Sequence, residues 1–115
     1  MVTKWDIYLC SLDPTAGSEQ KGTRPVLVIS NDSVNRNLLV ATIIPFSSVK
    51  MGAAIYPTEV EIPASASGLR LGYVVMIQQI RTVSHKRLVK YISHLQDEEY
   101  KAKILTAIKE YFEYD

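Results

Sequence analysis

The chain has 115 residues, of which 47% are hydrophobic and 22% charged, the composition of an ordinary globular domain and not of a disordered or fibrous one. A chain of this length buries roughly two-thirds of its unfolded surface, enough for one core, so residues 1–115 are read as a single domain. No apolar run approaches the ~20 residues of a membrane helix, and MVTKWDIYL lacks the apolar centre of a signal peptide. Cys10 is the only cysteine, so no intrachain disulfide can form. A cytoplasmic setting without a membrane partner is the expectation.

The net charge of +1 argues against a general nucleic-acid coat protein. Residues 1–96 hold 10 Lys and Arg against 6 Asp and Glu, whereas residues 97–115 hold 3 Lys against 6 acids. A mildly basic body with an acidic end suits a short RNA segment, and suits a plain solvated surface equally well.

In chain order, WDIYLCSL (5–12) is rich in β-formers and runs into the turn signal Asp13-Pro14. The polar stretch 14–24 reads as an exposed loop. PVLVIS (25–30) reads as a buried strand with Pro25 at its first position. Asn31-Asp32 can cap one helical turn through Asn35. LLVATIIPF (38–46) is a β-branched strand, and residues 47–55 form a loop. YPTEVEI (56–62) alternates, with Tyr56, Thr58, Val60 and Ile62 opposite Glu59 and Glu61. A turn at PASASG (63–68) precedes one long strand, GYVVMIQQIRTV (72–83), and then RLVKYISHL (87–95). Only the end is helical: Asp97, Glu98 and Glu99 suit a first turn, and Tyr100, Ile104, Ile108 and Tyr111 recur at helical spacing. Six or seven short strands and a terminal helix predict a mainly β fold, a small bent sheet or barrel closed by that helix.

The loop GSEQKGTRP (17–25) gathers a hydroxyl, a carboxylate, an amide and a guanidinium where a loop enters a strand. Such a group can hold a phosphodiester, because Arg24 offers a fork of N–H donors to phosphoryl oxygens. Composition alone also permits an ordinary polar hairpin. Read whole, DIYLCSLDPTAGSEQKGTRPVLVIS (6–30) closely resembles the opening of the MazF/PemK-type toxins. The resemblance continues through Ile44-Pro45-Phe46-Ser47-Ser48, YPTEVEI (56–62), SGL (67–69) and VMIQQIRTV (75–83), in family order from residue 5 to about 95.

The resemblance implies an SH3-like β-barrel of the PemK/CcdB kind with a C-terminal helix, and a two-fold homodimer. It implies a sequence-selective endoribonuclease toxin acting on single-stranded RNA with no metal or other cofactor, neutralised by a cognate antitoxin. In that family the arginine before the proline and a threonine after the third strand form the catalytic pair. Arg24 matches the first, and Ser47, with Ser48 beside it, stands at the second. Thr15, Ser18, Glu19, Gln20, Ser48, Gln79 and Arg81 are the RNA-contact candidates that go with them. Many members have Gly-Asp where this chain has Trp5-Asp6, a difference expected to touch strand packing only. Some carry a loop histidine at the place of Ser18 and an arginine and aspartate at the places of Met76 and Gln78, so an acid–base scheme built on those three does not transfer.

The mechanism implied is attack of a ribose 2′-OH on the adjacent phosphorus, leaving a 2′,3′-cyclic phosphate. Arg24 would stabilise charge on the non-bridging oxygens, since its pKa makes it a poor base. No residue stands out as the general base; Glu19 is the one carboxylate the block offers. Two readings from other classes stay open: a CcdB-like poison of gyrase that is no enzyme, and an inactive RNA-binding domain. Fold alone does not separate them. The chain's end, Glu113-Tyr114-Asp115, lacks the aromatic Trp-Gly-Ile terminus of the gyrase poisons.

Overall fold

In the computed structural model, which describes residues 1–48 and 57–113, the β-rich segments form one seven-stranded antiparallel sheet. The strands are β1 (Asp6–Ser11), β2 (Thr23–Val28), β3 (Val40–Ser47), β4 (Glu59–Ile62), β5 (Tyr73–Met76), β6 (Arg81–Ser84) and β7 (Leu88–His94). They run β4-β5-β3-β2-β1-β7, with β6 pairing β3 off this path. The sheet ends at β4 and β7, so the barrel is not closed. The mainly β architecture with a C-terminal helix agrees with the sequence. Of the loop expected over 47–55, Ser47 instead ends β3 and Ser48 follows the strand, because the pairing of β3 with β5 extends to Ser47; residues 49–55, and Tyr56, lie outside the described residues.

Alternation along β2 and β3 builds two cores on opposite faces. Leu27, Ile44 and Phe46 join Ile7, Ile62, Val75, Ile77 and Leu95 beneath the terminal helix α3 (Glu98–Phe112). Val26, Val28 and Ile43 join Cys10, Leu12, Ala41 and Val83 on the other side. Each fully buried Ile, Leu or Phe contributes about 1.5–3 kcal/mol relative to exposure. Helix α3 docks through Ile104 and Ala107. Asp97 is its N-cap and not part of its first turn, accepting from the N–H groups of Glu99 and Tyr100. The smaller α1 (Asp32–Asn37) is two residues longer than expected and is capped by Asn31.

Four local expectations need correction. The run 72–83 is not one strand: β5 stops at Met76, Ile77–Gln79 makes a 3₁₀ turn, and β6 begins at Arg81. Periodicity could not expose this, because β3 changes partner here, from β6 up to Ile43 to β5 from Phe46. Pro45, which has no N–H to give, occupies that gap. Second, 63–68 is not a simple turn but holds a one-turn helix, α2 (Ala64–Ser67), ended by Gly68 at φ 76°. A side chain at Gly68 would press on Ser93 Cβ at 3.1 Å. Third, Pro25 is the third residue of β2, not the first. The Leu12 N–H donates to Gly22 O, so the alternation of the ladder turns the Pro25 nitrogen away from β1. It faces β3, whose pairing starts only at Val26. Fourth, Trp5 has φ 76°, the region that favours glycine. Its departure from Gly-Asp therefore bears on backbone strain as well as packing. The indole offsets this by packing on the α3-side core, with Lys4 Nζ 5.4 Å and Lys101 Nζ 5.5 Å from the ring centroid.

Cys10 is fully buried, and desolvation pushes its thiol up to about 11 although Arg81 and Arg87 pull the other way. Alkylation with iodoacetamide at pH 8 should therefore fail on the native protein and go to completion in denaturant. The unfolded thiol ionises first, so stability should decline as pH rises from about 9 to about 11. Rapid labelling of the native protein would show that the β1 end opens freely.

Candidate functional site

The segment joining β1 to β2, residues 12–22, is held by its own polar groups. The Asp13 carboxylate accepts from the Gly22 N–H at 3.1 Å and from the Thr15 hydroxyl at 3.4 Å. Glu19 Oε1 accepts from the Ala16 N–H at 2.6 Å. Gly17 at φ 56° and Gly22 at φ 83° make the turns that other residues resist. A second tie reaches across from the 3₁₀ turn after β5. Gln79 accepts from the Gln20 N–H at 3.0 Å and donates to Ser18 O at 3.1 Å, a two-point latch over the loop. Gln20 itself donates to Met76 Sδ at 3.6 Å.

Three guanidiniums converge on this segment, each bonded to backbone carbonyls. Arg24 Nε donates to Lys21 O at 2.8 Å, and Arg81 Nη1 donates to Leu12 O at 3.1 Å. Arg87 Nη1 donates to Ser11 O at 3.2 Å and also to Asp13 O. Leu12 O is free for Arg81 because the Gly22 N–H has turned to the Asp13 side chain. None of the ion pairs among the described residues involves Arg24, Arg81 or Arg87. Carbonyls solvate a cation without cancelling its charge, so this end of the sheet attracts anions.

Alternation sets which side chains meet there. Arg24 shares a face with Val26 and Val28, Ser47 with Ile43, and Arg81 with Val83; all belong to the Cys10 side of the sheet. The β2–β3 register pairs Val26 with Pro45, and continued two rungs it sets Arg24 across from Ser47. Both are half-buried, whereas Ser48 is exposed beyond the strand end.

The expected residues thus divide. Arg24, Ser47 and Arg81 come to one face, and Ser18, Glu19 and Gln20 lie on the loop beside them. The Thr15 hydroxyl, the Glu19 carboxylate and the Gln79 amide are engaged in holding that loop. Arg87 went unnoticed in the sequence, since it follows a turn and lies 63 residues beyond Arg24; only the β1–β7 pairing brings it in. His94 belongs elsewhere, its Nδ1 2.7 Å from the buried Asp6 carboxylate. Among the described residues no group of three or more His, Cys, Asp or Glu is placed to hold a metal. No helix of the structure is long and apolar enough to cross a membrane.

A family model described as PemK-like, MazF-like toxin of type II toxin–antitoxin system matches residues 3–112. The chain belongs to that family. It is 43% identical over 98 residues to the endoribonuclease EndoA of Bacillus subtilis, covering 85% of this chain and 84% of that protein. Its fold is similar to that of MazF from Deinococcus radiodurans, with a TM-score of 0.82 at 23% identity over 97% of this chain and 96% of that one. It is also similar to an endoribonuclease solved with its cognate antitoxin from a mycobacterial species, with a TM-score of 0.80 at 23% identity over 100% and 98% of the chains.

Gln79 tests how this MazF-like loop is held. Gln79→Ala removes both latch bonds, each contributing about 0.5–1.5 kcal/mol. Hydrogen exchange at the Gln20 amide should accelerate while core amides of β2 and β3 stay protected. Unchanged exchange at Gln20 would show that the loop is held by Asp13 and Glu19 alone.

Proposed function

We propose that the protein is an endoribonuclease toxin that cuts single-stranded RNA, such as mRNA, at selected sequences. The observation that supports the site is the β2–β3 register, whose last rung pairs Val26 with Pro45; extended by two residues, it would set Arg24 across from Ser47. The likeness to EndoA supplies the substrate class.

In this reading residues 1–115 are one cytoplasmic domain, and the bent sheet approximates an SH3-like barrel. Two copies form a homodimer, and a cognate antitoxin covers the cationic strand end with an extended acidic segment. The dimer and antitoxin rest on the family and on the mycobacterial endoribonuclease solved with its antitoxin.

The chemistry follows from the groups present. The 2′-OH of the nucleotide 5′ to the cut attacks phosphorus, the P–O5′ bond breaks, and the products are a 2′,3′-cyclic phosphate and a 5′-OH. Arg24 binds the non-bridging oxygens as charge accumulates on them. Ser47 donates its hydroxyl to the same phosphate; it lacks the methyl that restricts a threonine. Thr15, Ser18, Glu19, Gln20, Ser48, Gln79 and Arg81 line the path of the flanking nucleotides. Glu19 is the candidate base, reached only if it releases the Ala16 N–H.

Arg24→Ala should lower kcat about 10²–10³-fold without loss of fold, the usual cost of a transition-state donor. Retention of a tenth of the rate would remove Arg24 from the mechanism. Ser47→Ala should be slow and Ser47→Thr close to native. If Ser48→Ala is the damaging change instead, the hydroxyl is assigned one residue out.

A second measurement addresses the nucleophile. With a 2′-deoxy nucleotide immediately 5′ to the cut, RNA should bind and stay intact. Cleavage of unmodified RNA should continue in EDTA. A downstream product bearing a 5′-phosphate would replace transesterification with hydrolysis.

A further inference from the structure

We propose that Arg87 is a further RNA-binding residue, gripping a backbone phosphate beside the one that reacts. This rests on the endoribonuclease reading. Arg87 is the last residue of the 3₁₀ turn His85–Arg87 that leads into β7, and it reaches β1 from the β7 side, whereas Arg24 stands on the β2 side. The two guanidiniums therefore flank the same strand end, with the Arg81 contact at Leu12 between the Arg87 contacts at Ser11 and Asp13.

Arg87 meets the chemical requirements for such a grip. Its Nη1 alone makes both carbonyl bonds, which leaves the Nε and Nη2 donors for a ligand. No carboxylate of the described residues pairs with it, so its charge is uncompensated. Two bonds to the backbone of one strand hold the fork in place, so little side-chain freedom is lost when a phosphate docks. A guanidinium serving only to brace the loop would not need free donors beside two other cations. Phosphates along a single strand follow one another closely, and a row of cations across the strand end matches that repeat.

The test is the salt dependence of binding to a short RNA carrying the mapped cleavage site, made uncleavable by a 2′-deoxy nucleotide 5′ to the cut. Arg87→Gln keeps an amide N–H for the β1 carbonyls and removes the charge, whereas Arg87→Lys keeps the charge. Each phosphate contact contributes about 0.7 to the slope of log K against log salt on single strands. Arg87→Gln should lose that amount, Arg87→Lys should retain it, and kcat at saturating RNA should change less than KM. An unchanged slope for a folded Arg87→Gln overturns the proposal, as does a fall in kcat alone, which would mark a bracing role. If Arg87→Gln does not fold, the wild-type protein decides with RNAs carrying one neutral methylphosphonate each. Weakening at the scissile phosphate and at a neighbouring phosphate supports the grip; weakening at the scissile position only overturns it. Failure of the wild-type protein to bind the RNA at all is a separate result, and it defeats the endoribonuclease reading first.

Discussion

A one-residue slip of β2 along β3 would exchange the two faces of β2 against those of β3. Val26 and Val28 would trade places with Leu27, and Arg24 would turn from the Cys10 side toward the α3 side. Two buried cores, one on each face, oppose that slip together. The same ladder that holds the fold thus decides where the cation and the hydroxyl are placed. The position of both side chains is a by-product of core packing, because Arg24 precedes the buried run Val26–Val28 of β2 and Ser47 follows the buried run Ile43–Phe46 of β3.

The two prolines mark the limits of that ladder. Pro25 and Pro45 each lack an N–H, and each stands where a neighbouring strand begins or ends its pairing. Pro45 lies where β3 leaves β6 and meets β5, and the matching turn Ile77–Gln79 returns the chain over the gap. That turn carries the Gln79 latch. The break in regular pairing is therefore what allows the β5–β6 connection to hold the loop beside Arg24.

Electrostatics at the strand end rest on carbonyls and not on carboxylates. Backbone oxygens of Ser11, Leu12, Asp13 and Lys21 orient three guanidiniums while leaving their charge available. A carboxylate partner would orient them as well but would cancel the field that draws an anion. The Asp13 carboxylate of this segment is turned onto Gly22 and Thr15 and shapes the loop instead.

Much of this was legible in residues read along the chain. Local alternation located β1, β2, β3 and β7, helical spacing located α3, and the block GSEQKGTRP with its flanks named the family and Arg24. Those features depend on neighbours a few positions apart, which is what a linear pattern records. Ser47 was legible as a matching position, but its place two residues beyond the last β2–β3 rung, on the same face as Arg24, follows only from strand pairing. Three features needed the tertiary structure. The break at Ile77–Gln79 arises because β3 changes partner, and nothing in GYVVMIQQIRTV encodes where another strand ends. The left-handed backbone at Trp5 appears only once β1 is joined to its neighbours. Arg87 enters the cationic group because β7 pairs with β1, a contact across more than 70 residues that no local pattern can carry. Sequence determined which chemistry the chain can offer; strand pairing decided which of those groups stand together, since hydrogen-bonded register acts between segments and not within them.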